Sequence, residues 1–142
     1  MLLDDGATLA TALFTGAAVY ITIVEHPARL RCSSEIAVAQ WRPSYKRATV
    51  MQASLAIVGT VLSVAAWLDG VGIIWLVAGL VLGSVVPFTL IVIAPTNRRL
   101  EDPDLDPSND LACHLLRRWG HLHAVRSGVS LIALLLMIFA RP

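Results

Sequence analysis

The chain has 142 residues, 56% of them hydrophobic and 15% charged, with a mean hydropathy of +0.71. A water-soluble domain this short cannot bury that much apolar surface, which excludes a soluble globular fold. The net charge of +1 gives no reason to expect nucleic acid.

Four apolar spans follow one another, about Ala7–Val24, Ala48–Leu68, Gly72–Ala94 and Leu122–Ala140, and none has a charged residue near its middle. Each is about as long as the ~20 residues a helix needs to cross a hydrocarbon core. Backbone hydrogen bonding in lipid makes them helices. The expected fold is all-α: a single membrane domain, 1–142, forming a four-transmembrane-helix bundle with helices at about 7–25, 48–68, 72–94 and 109–140.

The first span opens after an acidic MLLDDG, which lacks the basic start of a signal peptide, so it reads as a retained helix. It is rich in Ala and Gly, and Pro27 ends or kinks it. Arg31–Ala39 reads as a short helix at the interface, and Pro43-Ser44 as the start signal of the second span. The third span carries Gly79-x-x-x-Gly83, a close-packing pattern. Pro87 should bend this span and Pro95 should stop it. An acidic, proline-rich linker, Glu101–Asp110, leads to a long last helix whose first turns stand beyond the lipid. Ser108 or Asn109 can cap that helix.

Charge sets the topology. Five basic residues (Arg29, Arg31, Arg42, Lys46, Arg47) belong to the first connection and five (Arg98, Arg99, Arg117, Arg118, Arg126) to the third. Only Arg141 lies on the other side. The positive-inside rule puts the two long connections in the cytoplasm and both termini outside, and the expected location is the cell's inner (plasma) membrane. The four tryptophans, Trp41, Trp67, Trp75 and Trp119, are placed to form an aromatic belt at each face. Cys32 and Cys113 read as reduced thiols without metal spacing.

The residues able to do chemistry crowd the basic end. Trp119, His123 and Arg126 share one helical stripe. The other helices bring Glu25 and His26, Tyr45, Arg47 and Gln52, and Asn97 to a similar depth. Glu25 is the natural counter-charge for Arg126 or Arg47. The remaining juxtamembrane arginines, Arg29, Arg31, Arg99, Arg117 and Arg118, read as lipid-facing charge.

Glu25-His26-Pro27-Ala28-Arg29, Trp41-Arg42-Pro43-Ser44-Tyr45-Lys46-Arg47, Met51-Gln52-Ala53-Ser54, Pro95-Thr96-Asn97-Arg98-Arg99-Leu100 and Arg118-Trp119-Gly120-His121-Leu122-His123-Ala124-Val125-Arg126-Ser127 form a series. It resembles the anthrone oxygenase-like family of small four-helix membrane proteins. The resemblance implies oxidation of a flat, apolar carbon acid by O2 without a classical cofactor. On that reading a small aromatic substrate lies against Trp119 and Tyr45, with Gln52 and His26 also binding it. His123 or Glu25 removes the C–H proton. Arg126, Arg47 and Asn97 stabilise the enolate oxygen.

Two other classes stay open. His26 and His123 are candidate axial ligands of a haem, and Glu25, His26 and His123 are too few to define a metal site. A non-catalytic protein binding membrane lipid or a partner is the main alternative, and the Gly/Ala-rich helix faces permit a homo-oligomer.

Overall fold

Residues 2–140 are described by a computed structural model, so Arg141, the basic residue on the sparsely charged side, lies outside the described residues. Four helices account for nearly all of them: α1 (Leu2–Arg29), α2 (Ser34–Leu68), α3 (Ile73–Glu101) and α4 (Asp110–Phe139). All four are long and apolar enough to cross a membrane, and no strand occurs among the described residues. Each packs on its neighbour in sequence, and α4 closes the ring against α1.

Three apolar layers stack along this up-and-down bundle. Ala7, Ala66, Trp75, Ala78 and Met137 fill the end at the tight 69–72 turn. That turn needs glycine, because Gly70 and Gly72 adopt φ of +85° and +139°. Phe14, Ala18, Ala56, Leu82, Val85 and Ala133 fill the middle. Ile21, Trp41, Ile93, Leu100, Leu115 and Trp119 belong to the layer at the end with the two longer connections. Gly79 and Gly83 do pack closely, against α2: a Cβ at Gly79 would lie 3.0 Å from Ser63 Cβ, and one at Gly83 3.2 Å from Thr60 Cγ2.

Proline governs less than the sequence suggests. The second helix begins at Ser34, not near residue 48, and Pro43 lies inside it. Ser33 caps it by accepting from the Ile36 N–H. An interior proline costs roughly 3 kcal/mol. Tertiary contacts on the segment before it offset that cost. Ala37, Val38 and Trp41 are buried against α4, and Arg42 donates from Nε to the Leu100 carbonyl (3.0 Å) and from Nη2 to that of Asp102 (2.8 Å). α2 and α4 therefore both extend past the lipid at this end and pack on each other there. The expected stop at Pro95 is absent too, and α1 stays helical past Pro27 to Arg29. Both helices widen into a π turn just before the proline, over Ile21–Glu25 and Thr89–Ile93. The His26 N–H reaches the Ile21 carbonyl, and the Ala94 N–H reaches that of Thr89. Near Pro87 the regular α-helix is interrupted at Ser84.

The aromatic belt does not form as expected. Trp41, Trp75 and Trp119 are buried inside the bundle, and only Trp67 is partly exposed. Their rings fill space that the many small residues of the bundle leave open. The linker after α3 is tied locally. The Ser108 N–H and hydroxyl both donate to Asp106 Oδ1, which holds that carboxyl below the usual carboxylate range.

Candidate functional site

A small cavity lies where the loop-end layer meets the middle layer. It is lined by Ile21 and Arg29 of α1; Trp41, Tyr45 and Gln52 of α2; Thr89, Ile93 and Asn97 of α3; and Trp119, His123 and Arg126 of α4. The space open to the centre of a water molecule is about 20 Å³, room for roughly one water. The two π turns supply Ile21, Thr89 and Ile93. Such turns add a residue to the helical circuit and often mark functional sites.

The wall is aromatic on one side. Trp119 is the hub: His123 stacks on it at 4.8 Å between ring centres, His26 tilts against it at 5.1 Å, and Trp41 meets it edge-on at 5.8 Å. Tyr45 lies flat on Trp41 at 4.7 Å, and its hydroxyl accepts from Asn97 Nδ2 at 3.0 Å. The His26 ring crosses α4 over Gly120, where a Cβ would stand 2.4 Å from its Nε2. Glycine at 120 thus admits the histidine.

His123 is tied to α1. Its Nδ1 lies 3.1 Å from Thr22 Oγ1 and 3.5 Å from Ser127 Oγ. The two hydroxyls are 2.8 Å apart and both reach the Ala18 carbonyl, Thr22 at 2.9 Å and Ser127 at 3.0 Å. His123 Nε2 takes no part in these bonds.

Arg126 stands about midway along α4, and its side chain reaches the middle layer. Its guanidinium lies 5.3 Å from the centre of the Phe14 ring, and Nη1 donates to Thr89 Oγ1 at 3.4 Å. Among the described residues, no carboxylate lies within ion-pair distance of it. Its Nε is buried without a hydrogen-bond partner. Four other atoms on cavity-lining residues share that condition: both amide atoms of Gln52, Asn97 Oδ1 and Trp41 Nε1. Buried polar groups are nearly always paired, so five unpaired atoms around one small space mark it as a place for a polar occupant.

Glu25 is not the counter-ion of Arg126 or Arg47. It pairs with Arg29 one turn along α1, and its Oε1 also accepts from Gln40 Nε2 (3.1 Å) and Ser44 Oγ (2.9 Å). The i, i+4 spacing explains this preference. Arg29 itself is buried, not lipid-facing. It donates from Nε to Gln40 Oε1 and from Nη1 to His26 Nδ1 (3.0 Å), and its guanidinium lies 5.8 Å from the Trp119 ring. An arginine only donates, so His26 Nδ1 accepts and its ring proton is on Nε2.

The structure therefore brings His123, Arg126, Asn97, Trp119, Tyr45 and Gln52 to one cavity. It puts His26 behind Trp119. Glu25 and Arg47 sit outside, on an open groove lined also by Tyr20, Pro43 and Met51, and Arg47 is exposed. Sequence reasoning missed Thr22, Arg29, Trp41 and Thr89 as parts of the site. Arg29 carried a signal, since it stands four residues after Glu25 on the same helix. Thr22 and Thr89 carried none, because helix-buried threonines are common.

His26 and His123 both rest on Trp119, and His26 is pressed on Gly120. Among the described residues, no three His, Cys, Asp or Glu side chains group to hold a metal ion.

A family model described as anthrone oxygenase matches residues 41–136. The match includes the cavity residues of α2, α3 and α4 and leaves α1 outside. No curated protein and no solved structure matches the chain.

Proposed function

Because this chain belongs to the anthrone oxygenase family, matched over residues 41–136, we propose that it is a membrane oxygenase for a flat, apolar carbon acid, with the cavity around His123 and Arg126 as its active site. One observation carries the reading: Arg126 is a permanent cation, set midway along a membrane helix, with no carboxylate partner among the described residues. An unpaired charge in that setting is costly, and an anionic oxygen in the cavity would relieve the cost. An enolate is such an anion, and it forms only as the reaction proceeds, so its stabilisation is catalytic.

The chemistry follows from the groups in place. With the Thr22 hydroxyl directed to the Ala18 carbonyl, His123 Nδ1–H donates to Thr22 Oγ1, and Nε2 carries the lone pair. Nε2 takes a proton from the substrate methylene, which lies across the central ring from the carbonyl and is conjugated with it through the flanking rings once deprotonated. Arg126 and the Gln52 amide hold the resulting oxyanion. The enolate gives one electron to O2, and the carbon radical and superoxide combine to a peroxide. Loss of the second C–H proton and cleavage of the O–O bond leave a new C=O and water. One O2 is consumed, and one CH2 becomes C=O plus H2O. Trp41, Tyr45 and Trp119 supply flat walls for a planar substrate. Glu25 and Arg29 hold the aromatic wall from behind, through His26 and Trp119.

The exposed Arg31, Arg98, Arg99, Arg117 and Arg118 would meet lipid phosphates at the loop end. By the positive-inside rule that end faces the cytoplasm of a plasma-membrane protein.

The test is O2 uptake with an added anthrone by the purified chain in lipid nanodiscs. Wild-type protein is expected to take up one O2 per anthrone oxidised. His123→Ala and Arg126→Met are each expected to abolish uptake. If both variants turn over at the wild-type rate, the reading is wrong.

A further inference from the structure

The cavity holds about one water, so a three-ring molecule cannot sit wholly inside it. A second space adjoins it. This cleft of about 100 Å³ lies between α2 and α3, with Ala53, Val86 and Leu90 on its outer walls. Ala53 and Leu90 are exposed, and in a membrane-crossing bundle the exposed surface at this height faces lipid. At its inner end stand Thr49, Gln52, Thr89 and Arg126, which also line the polar cavity. These four residues line both spaces.

Gln52 is the feature without a structural explanation. It is 1% exposed, within the apolar part of α2, and neither its Nε2 nor its Oε1 has a partner. Two unmade hydrogen bonds in a buried amide cost roughly 1–3 kcal/mol each. Beside it, Arg126 Nε is unpaired as well. Together they offer two donors and one acceptor at the blind end of an apolar cleft. That set fits a hydroxyl next to a carbonyl on a flat apolar body, since the carbonyl accepts and the hydroxyl donates. An acyl chain would satisfy none of the three.

We infer that the α2–α3 cleft is a lateral port through which a planar phenolic or enolic ketone passes from the bilayer, docking its oxygens on Gln52 and Arg126 while its trailing ring stays between Ala53 and Leu90. The inference rests on the oxygenase reading in that it concerns the same cavity, but it makes a claim about binding alone. The port spares an apolar substrate a passage through water. The small side chain at 53 sets the width of the opening.

The test uses 1,8-dihydroxyanthraquinone, which cannot be oxidised at a methylene, added to the full chain in nanodiscs and read by quenching of tryptophan fluorescence. Wild type is expected to bind it. Ala53→Phe, which fills the port from α2, is expected to weaken binding about tenfold or more. Leu90→Phe fills it from α3 and should do the same, so the result does not depend on one variant folding. Ile91→Phe, on the same helix outside the cleft, should bind as wild type does. Gln52→Leu should also weaken binding. The inference is overturned if wild type does not bind the probe, if the filled ports bind it unchanged, or if Gln52→Leu binds as tightly as wild type, as a lipid-chain groove would. The oxygenase reading fails separately, if wild type binds the probe yet consumes no O2 with an anthrone.

Discussion

Thr22 Oγ1 of α1 lies 3.1 Å from His123 Nδ1 of α4. That contact fixes both the angle of the imidazole and, with the Thr22 hydroxyl turned to Ala18, its tautomer. Thr22→Val keeps the shape of the side chain and removes the acceptor. It should lower kcat about tenfold, a loss of roughly 1.4 kcal/mol in barrier stabilisation, with KM little changed. Thr22→Ser should restore the rate. Steady-state oxidation of an anthrone by the three proteins checks this, because a purely structural threonine would change stability without splitting kcat from KM.

Arg126 should separate stability from function. Replacing a buried, unpaired charge by an apolar side chain of similar length removes a desolvation cost. Arg126→Met is therefore expected to be as stable as wild type or more so, by about 1–4 kcal/mol, while activity falls at least about a hundredfold. Thermal unfolding in detergent and O2 uptake read the two effects. A variant that loses both together would mean Arg126 holds the bundle together.

Gly120 and His26 form a size-matched pair. Gly120→Ala would put a Cβ 2.4 Å from His26 Nε2, so the ring or the helix must move. The expected cost is about 1–3 kcal/mol. It should largely vanish in the Gly120→Ala, His26→Ala double variant, where the clash is gone. A double-mutant cycle on unfolding free energies measures this coupling.

Glu25 should act on stability rather than turnover. It neutralises Arg29, which is 6% exposed, and Glu25→Ala would strand that cation. The side chain of Glu25 is itself 23% exposed, so the cost should fall below that of a fully buried pair, at about 2–3 kcal/mol. Turnover per folded molecule should stay within about threefold of wild type. Arg47→Ala, at an exposed position, should change stability by no more than about 0.5 kcal/mol. Equilibrium unfolding and activity normalised to folded protein test both.

Much of this site could be read before any coordinates. Trp119, His123 and Arg126 share a stripe because of their spacing alone, and Asn97, Gln52 and Tyr45 join them at a common depth. Depth along a helix is close to a one-dimensional quantity, and counting residues approximates it. Direction around the axis is harder. Arg47 has nearly the depth of Tyr45 but faces outward, and Glu25 turns to Arg29 instead of Arg126. The prolines misled for a related reason: local propensity says break, while packing of Trp41 and the π turns before Pro27 and Pro95 carry the helices on.

The sequence alone determined that four helices cross a membrane, because apolar length and the need to satisfy every backbone N–H and C=O in lipid allow nothing else. It also determined which end carries the charge. Tertiary structure decided which charges are buried. Ion-pair energies depend on distances of a few ångströms and on burial, and burial follows from how the four helices pack. The i, i+4 spacing within α1 pairs Glu25 with Arg29, while the packing of the four helices sets Arg126 with Gln52 on a cavity and a cleft that no single helix contains.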